Sequence, residues 1–236
     1  MPIRVKDDEA AEVRALDLFT GLEDDDFAAL MRGAYVQTFP PRIELASQGE
    51  RSDFLHVVTG GAVEMFASWN GRETVMATLE PVSTFILAAT ICDAPYLMSA
   101  RTLEKSRIVL VPSEDVRKIF DINADFARAV VTELGRSYRA VVKSTKNLKL
   151  RTSLERLANH LLQRYAMEGN PTAFELGQEK RHLASYLGMT PENLSRAIRQ
   201  LEPYGVTFEG NIVTITNPED LTNFAKPSPL IDDPWS

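Results

Sequence analysis

The 236-residue chain is poor in the side chains that most often carry metal, redox or nucleophilic chemistry: it holds one cysteine and three histidines. One cysteine, Cys92, makes no intramolecular disulfide and cannot supply the four thiolates of an iron–sulfur cluster. It reads as a free buried thiol of a reducing compartment. The histidines, His56, His160 and His182, lie far apart in sequence. No His-x-His pair is present to start the metal cluster of a small β-barrel enzyme, and no Ser/His/Asp or Cys/His arrangement appears. Long apolar runs are also missing. Phe85–Cys92 is the longest and is far too short to span a bilayer, and no charged segment leads into an apolar one near Met1. The expectation is a cytoplasmic protein with no membrane partner. Positive charge is short as well, with 26 Lys and Arg against 33 Asp and Glu, a net −7. Any phosphate-binding surface must therefore be a local patch.

What is present points to two modest globular domains: 44% of residues are hydrophobic and 25% charged, over a length that suits two cores. The most informative stretch is Lys180–Leu201. Leu183, Ala184 and Leu187 give a first short helix an apolar stripe. Gly188 stands where the chain must leave that helix left-handed. Thr190-Pro191-Glu192 restarts a helix with a hydroxyl N-cap, a proline at the first position and an acid in the positive first turn. Leu194, Ile198 and Leu201 then face inward, so Glu192, Asn193, Ser195, Arg196 and Arg199 face outward. An ordinary helix pair with an exposed Glu–Arg contact has the same pattern. Base edges of double-stranded DNA suit the chemistry better: Arg196 can donate twice to guanine, Glu192 can accept from cytosine and Ser195 can do either. Arg181, His182, Arg196 and Arg199 are the candidate phosphate patch. Downstream, Gly205 to Ile215 reads as two strands about Gly210-Asn211, a wing, and Pro218–Phe224 as one or two closing helical turns.

Upstream, Ala127, Val131, Leu134, Tyr138, Val141, Thr145 and Leu148 recur at steps of four and three from Asn123 to Lys149. Such a seam either covers its own domain or pairs with a second copy. Beside a helix-turn-helix, a homodimer over Ala127, Val131, Leu134, Tyr138 and Val141 is the preferred reading. After a short joint, Thr152 and Glu155 form a capping box ahead of an amphipathic helix over Ser153–Met167. The first half is strand-rich, with segments at Val36–Gln48, Phe54–Thr59, Ala62–Ala67, Glu73–Leu79, Ser99–Leu103 and Ser106–Val111. Asn70-Gly71 marks a hairpin. Helices over Glu9–Leu18 and Asp24–Arg32 precede it.

This layout, with Gln48-Gly-Glu50, Phe54–Glu64 and Asn70–Glu73 as roll segments, resembles the Crp/Fnr family of bacterial transcription regulators along nearly the whole chain. The fold so implied is α+β: a cyclic-nucleotide-binding-like β-roll (a double-stranded β-helix or jelly roll), a long dimerisation helix, and a C-terminal winged helix-turn-helix. The expected boundaries are 1–121 for the sensor roll, 122–150 for the dimer helix and hinge, 151–225 for the DNA-binding domain, and 226–236 for a flexible tail. Glu192, Ser195 and Arg196 match the Glu-x-x-Ser-Arg pattern of the Fnr-like branch. The resemblance implies a palindrome with TTGAT-like half-sites, Arg196 and Glu192 reading its G·C pair; Thr190, Asn193, Arg199 and Arg181 are further candidate DNA contacts, and RNA polymerase is the expected further partner.

The sensor departs from the cyclic-AMP-binding members. Leu87 and Ala88 fall near the family's Gly-Glu positions, and Met98 falls where its phosphate-binding arginine stands, so a cyclic nucleotide is not expected. Phe66, Phe85, Leu87, Met98, Leu134 and Tyr138 are the candidate lining of an apolar effector pocket. Haem is one cofactor that would suit it, with His56 in an apolar strand, although a structural histidine is the plainer reading. Ala67–Arg72 and Tyr96–Arg101 also resemble a subgroup tied to ferrous-iron uptake. Two other readings stand beside a sensor: a dimeric DNA-binding regulator with no ligand, and a cupin-like metal enzyme. The enzyme reading lacks its histidine pair, so no enzymatic activity is expected.

Overall fold

The computed structural model describes residues 3–176 and 179–233, and the chain divides into two compact units, Met1–Ser137 and Tyr138–Ser236. In the first unit, β1 (Ile3–Arg4), α1 (Asp7–Arg14), α2 (Asp17–Thr20) and α3 (Asp24–Gly33) precede β2 (Tyr35–Phe39), β3 (Glu44–Ala46), β4 (Phe54–Gly60), β5 (Val63–Trp69), β6 (Arg72–Leu79) and β7 (Ser83–Phe85). Then come α4 (Leu87–Cys92), β8 (Ser99–Thr102), β9 (Ser106–Pro112), α5 (Ser113–Ile122) and the long α6 (Ala124–Leu150), whose residues from Tyr138 on belong to the second unit. The strands form two antiparallel sheets, β1-β2-β9-β4-β7 and β3-β8-β5-β6. This is the expected roll, in an α+β fold.

Alternation along β4 explains how the sheets are filled. Leu55 and Val57 join Val109, Val111 and the helices in one core, while Val58 joins Ile108, Met65 and Phe85 in a second. Side chains two apart share a face, so this strand is buried on both. Phe126 and Val130 seat the first half of α6 in the helical core, with Phe126 stacked 6.0 Å from Phe19. The Asn70-Gly71 hairpin is present: φ is +50° and +73° at the two positions and Trp69 pairs with Arg72, as a two-residue turn with both residues left-handed requires. Gly61 is needed for another reason, since a Cβ there would lie 2.6 Å from the Lys105 carbonyl.

Several boundaries differ from the sequence reading. The segment Val36–Gln48 is two strands, because the chain turns through Pro40-Pro41 and a left-handed Arg42. The helix expected over Glu9–Leu18 is split into α1 and α2. The apolar run Phe85–Cys92 holds the end of β7 and the short α4, bounded by left-handed Ile86 and Asp93; Cys92 at its end is exposed, not buried. Helix α5 was not anticipated, although Glu114 and Asp115 in its first turn suit its dipole.

The second unit contains α7 (Ser153–Met167), β10 (Ala173–Glu175), α8 (Lys180–Tyr186), α9 (Pro191–Gln200), a 3-10 turn at Glu202–Tyr204, β11 (Val206–Glu209), β12 (Ile212–Ile215), α10 (Pro218–Ala225) and α11 (Pro229–Asp232). Leu157, Leu161, Leu183, Leu194, Leu201, Val213 and Leu221 make its core. The capping box is as expected: the Thr152 amide donates to Glu155 at 2.8 Å and the Glu155 amide to the Thr152 hydroxyl at 3.3 Å. The wing gains a strand that its sequence did not announce, β10, paired with β12. The tail is a correction. Pro229–Asp232 form the short α11, and it docks, with Arg151 and Asp232 paired at 2.5 Å while both side chains are largely buried. A long-range pair of this kind leaves no local pattern in the sequence. Pro234, Trp235 and Ser236 lie outside the described residues.

Candidate nucleic-acid interface

Helix α8 ends in a closed left-handed turn. The Met189 amide donates to the Ala184 carbonyl and the Gly188 amide to the Ser185 carbonyl, each at 2.9 Å, with φ of +64° at Gly188. This pair of bonds satisfies the last carbonyls of α8 and needs a residue without a Cβ. A Cβ at Gly188 would also meet Leu148 at 2.8 Å. Two residues on, Thr190 accepts from the Asn193 amide at 3.3 Å and Pro191 takes the first helical position. The turn is therefore fixed at both ends by local chemistry.

Leu194 and Ala197 of α9 are buried and Ile198 is half-buried, which turns Glu192, Asn193, Ser195, Arg196 and Arg199 outward. Thr190 and Arg181 are exposed as well. The structure thus brings all seven expected DNA-contacting residues to the surface of one helix-turn-helix, while the buried partners match the expected inward face. Within this face, Arg196 donates to the Asn193 side-chain oxygen at 3.1 Å. The Ser195 hydroxyl donates to the Pro191 carbonyl at 2.9 Å, which leaves its lone pairs as acceptors. The Glu192 carboxyl is held below its ordinary pKa, first by its own backbone amide and then by the Thr190 hydroxyl, with a smaller contribution from Arg196. It is therefore an anion at neutral pH, at the positive end of α9. Lys180 lies 5.5 Å from the Phe208 ring, which places a cation of α8 against the wing.

Sequence reasoning missed the residues beneath this surface. Arg156 is 9% exposed, yet its guanidinium donates to the carbonyls of Leu187 at 2.8 Å, Arg151 at 2.8 Å and Gly188 at 3.4 Å. Burial pulls its pKa below that of a free guanidinium; it still stays charged at neutral pH. It braces the turn ahead of α9. The available signal was a charged residue between Leu154, Leu157 and Leu161 on an otherwise apolar face.

The expected effector residues are not gathered in one place. Leu87 is buried in the helical core and Leu134 packs on it, whereas Phe85 and Met98 belong to the core between the sheets. Phe66 lies under the Arg101 guanidinium, 4.1 Å from ring to charge, and Tyr138 belongs to the second unit and is 71% exposed. His56 is buried among these groups, stacked 4.8 Å from Phe85, with its Nδ1 lacking a hydrogen-bond partner. His56 is 3% exposed, and Phe85 belongs to the buried core with Val58, Met65, Tyr96 and Ile108, so haem would have to open this core to reach the ring. Met98, expected where a phosphate-binding arginine would stand, carries no hydrogen-bond donor, and Arg101 is engaged by Glu64 and Glu73. Among the described residues, no group of three or more His, Cys, Asp or Glu is placed to hold a metal ion.

Two family models match the chain in this order: the cyclic nucleotide-binding domain over residues 36–123 and the Crp-like helix-turn-helix domain over residues 155–224. The chain belongs to the Crp/Fnr family of transcription regulators. Among curated relatives it is 23% identical over 215 residues to the CRP-like cAMP-activated global transcriptional regulator of Mycobacterium tuberculosis, covering 89% of this chain and 96% of that protein. Potassium channel KAT1 of rice is 25% identical over 142 residues, 60% of this chain, but the chain spans only 18% of the channel's length. Among solved structures, FixK2 of Bradyrhizobium japonicum superposes with a TM-score of 0.69 at 23% identity, over 83% of this chain and 98% of that one. The chain is therefore a DNA-binding regulator of the Crp/Fnr type, from a family of transcription regulators. Among the described residues, no helix is long and apolar enough to cross a membrane.

Proposed function

We propose that the protein acts in the cytoplasm as a homodimer that inserts α9 of each copy into successive major grooves of a palindrome with TTGAT-like half-sites. The domains are those read from the sequence: a sensor roll over 1–121, a dimer helix and hinge over 122–150, and a DNA-binding domain over 151–225. The supporting observation is the outward face of α9, where Arg196, Glu192 and Ser195 stand exposed around a capped and braced turn. Arg196 reads guanine by two parallel donors, Glu192 accepts from cytosine, and Ser195 presents an acceptor. Thr190, Asn193, Arg199 and Arg181 flank them and set the register on the backbone. RNA polymerase is the further partner that regulation of transcription requires. No catalytic role is assigned.

The test is selection from random duplexes followed by binding at several salt concentrations. Wild-type protein is expected to recover a palindrome, and Arg196→Ala to lose about 1–3 kcal/mol at the cognate site and to relax base preference there. Recovery of no common sequence overturns the reading. An altered salt slope with unchanged base preference makes Arg196 a phosphate contact instead.

The filled core between the sheets favours a regulator that takes no small ligand at Phe85 and Met98. The alternative is an effector, haem-borne gas or an iron-related signal among them, that opens this core. The visible spectrum and metal content of purified protein, with and without added haem, decide between the two. A haem band with a shifted melting temperature supports the effector; an unchanged spectrum and melting temperature support ligand-independent binding.

A further inference from the structure

The last described residues close on the joint that leads into the DNA-binding unit. The two terminal nitrogens of Arg151 donate to the two carboxylate oxygens of Asp232 at 2.6 and 2.5 Å, with side chains 8% and 12% exposed. Parallel donors to one carboxylate fix direction as well as distance. Asp232 is itself held in place. Its carboxylate accepts from the Ser228 amide at 2.6 Å, and its carbonyl accepts from Gln163 of α7 at 2.9 Å. On the other side, Lys143 and Lys146 of α6 donate to the carbonyls of Asp233 at 2.6 Å and Leu230 at 3.1 Å. One six-residue segment thus grips the end of α6, the joint at Arg151 and the body of α7. The path continues inward, because the Arg151 carbonyl accepts from Arg156, whose guanidinium also ends α8 at Leu187.

We infer that residues 228–233 are a clamp on the α6–α7 joint, and that Asp232 and Arg151 are positioning residues for DNA reading. They hold α9 at one orientation relative to the end of α6, so two heads carried on paired α6 helices keep the spacing of a palindrome. The joint between the two helices is only Arg151 and Thr152, and its remaining bonds, Arg151 to Asn147 at 3.2 Å and the Thr152–Glu155 capping box, are local to one helix or the other. The buried two-pronged pair sets the angle between them. This inference rests on the proposed dimeric reading of DNA by α9.

The experiment uses the full-length chain as wild type, Asp232→Ala, Arg151→Met and the double variant. Hydrogen exchange of the amides at 151–153 reports the joint without reference to DNA. Binding is measured to the duplex that wild-type protein selects and to a duplex carrying one half-site. Each single variant is expected to exchange about tenfold faster at the joint and to bind the palindrome about tenfold more weakly, while half-site binding stays within about twofold. The double variant is expected to lose clearly less than the sum of the two singles, because the pair is shared, although Arg151 also donates to Asn147 and Asp232 also accepts from Ser228. Unchanged exchange in the single variants overturns the clamp. So does equal loss on half-site and palindrome, which marks general damage to the head, or additive losses in the double variant, which mark two independent roles. Should the wild type select no duplex, the DNA reading fails while the exchange rates still judge the clamp.

Discussion

Arg156 Nε donates to the Leu187 carbonyl at 2.8 Å, so a buried cation closes the first helix of the helix-turn-helix. Carbonyls at a helix C-terminus carry partial negative charge, and a guanidinium with a flat fork of donors can meet three of them at once. Arg156→Met keeps the bulk and removes every donor, leaving the Leu187, Arg151 and Gly188 carbonyls short of a partner. The expected loss is about 1–3 kcal/mol in urea unfolding. Arg156→Lys should recover only part of it, since one ammonium cannot span the three acceptors. A midpoint equal to wild type in Arg156→Met would show that water replaces the guanidinium without cost.

Burial drives the His56 pKa from 6.5 down to about 4, against smaller opposing hydrogen bonds from the Phe54 and Leu45 backbone. An unfolded chain takes up a proton below pH 6.5 that the folded roll refuses. Stability is therefore complete above pH 6.5 and declines as pH falls toward 4, by about 1.4 kcal/mol per pH unit over most of that window. His160 is pushed the same way, to about 4, by burial and then by Arg164, and its Nε2 is buried without a hydrogen-bond partner, so it adds to the same slope. Urea unfolding between pH 7.5 and 5.0 checks this, before most carboxylates titrate. His56→Gln should flatten the slope; an equal slope in that variant removes His56 as its source.

Short-range chemistry was the legible part of this chain. Thr190 with Pro191, Thr152 with Glu155, left-handed Gly188 and the Asn70-Gly71 turn each depend on residues within a few positions, and the structure has all of them as read. The outward face of α9 followed from the same helical period. What escaped depends on residues distant in sequence. The Arg151–Asp232 pair is 81 residues apart, and Arg156 looks like a misplaced charge until the α8 carbonyls are set beside it. Leu134 obeys the seven-residue seam, yet it packs into the core of its own unit, because period alone does not say which surface a stripe meets. The pocket expectation failed for a related reason: Leu87 and Phe85 are two apart in sequence but divided between two cores by the left-handed turn at Ile86.

Glu64 is 1% exposed on β5 and is engaged by Arg101, Nε at 2.9 Å and a terminal nitrogen at 2.5 Å. Arg101→Met strips that guanidinium from a carboxylate already removed from water. The expected cost is about 3–5 kcal/mol, seen as a lower melting temperature of the roll. The Glu64→Met and Arg101→Met double variant should be more stable than the Arg101→Met single variant, since no buried charge remains. Glu73, half exposed on the same guanidinium, should cost under about 1 kcal/mol as Glu73→Gln. Equal melting of Arg101→Met and Glu73→Gln would place the value of the network at its exposed edge.

Val131, Tyr138 and Val141 of α6 are 64%, 71% and 63% exposed, and Leu148 is 47%. Along this line the steps are seven, three and seven, the spacing by which a helix meets a second helix. Ala127 is half-buried at its start, and Leu134 is already used, so the free seam is discontinuous in the first unit and continuous from Tyr138 onward. A charge near its centre should separate two copies while leaving each fold intact, because no core contact is lost. Val141→Glu is expected to sediment at the 26.3 kDa of one chain, with wild type at twice that, and to melt within about 0.5 kcal/mol of a monomeric reference. Its affinity for a palindrome should fall to that for a half-site, since the second head no longer arrives with the first. If Val141→Glu still sediments as the wild type does, the copies meet through another surface, and α6 sets the position of the heads without joining them.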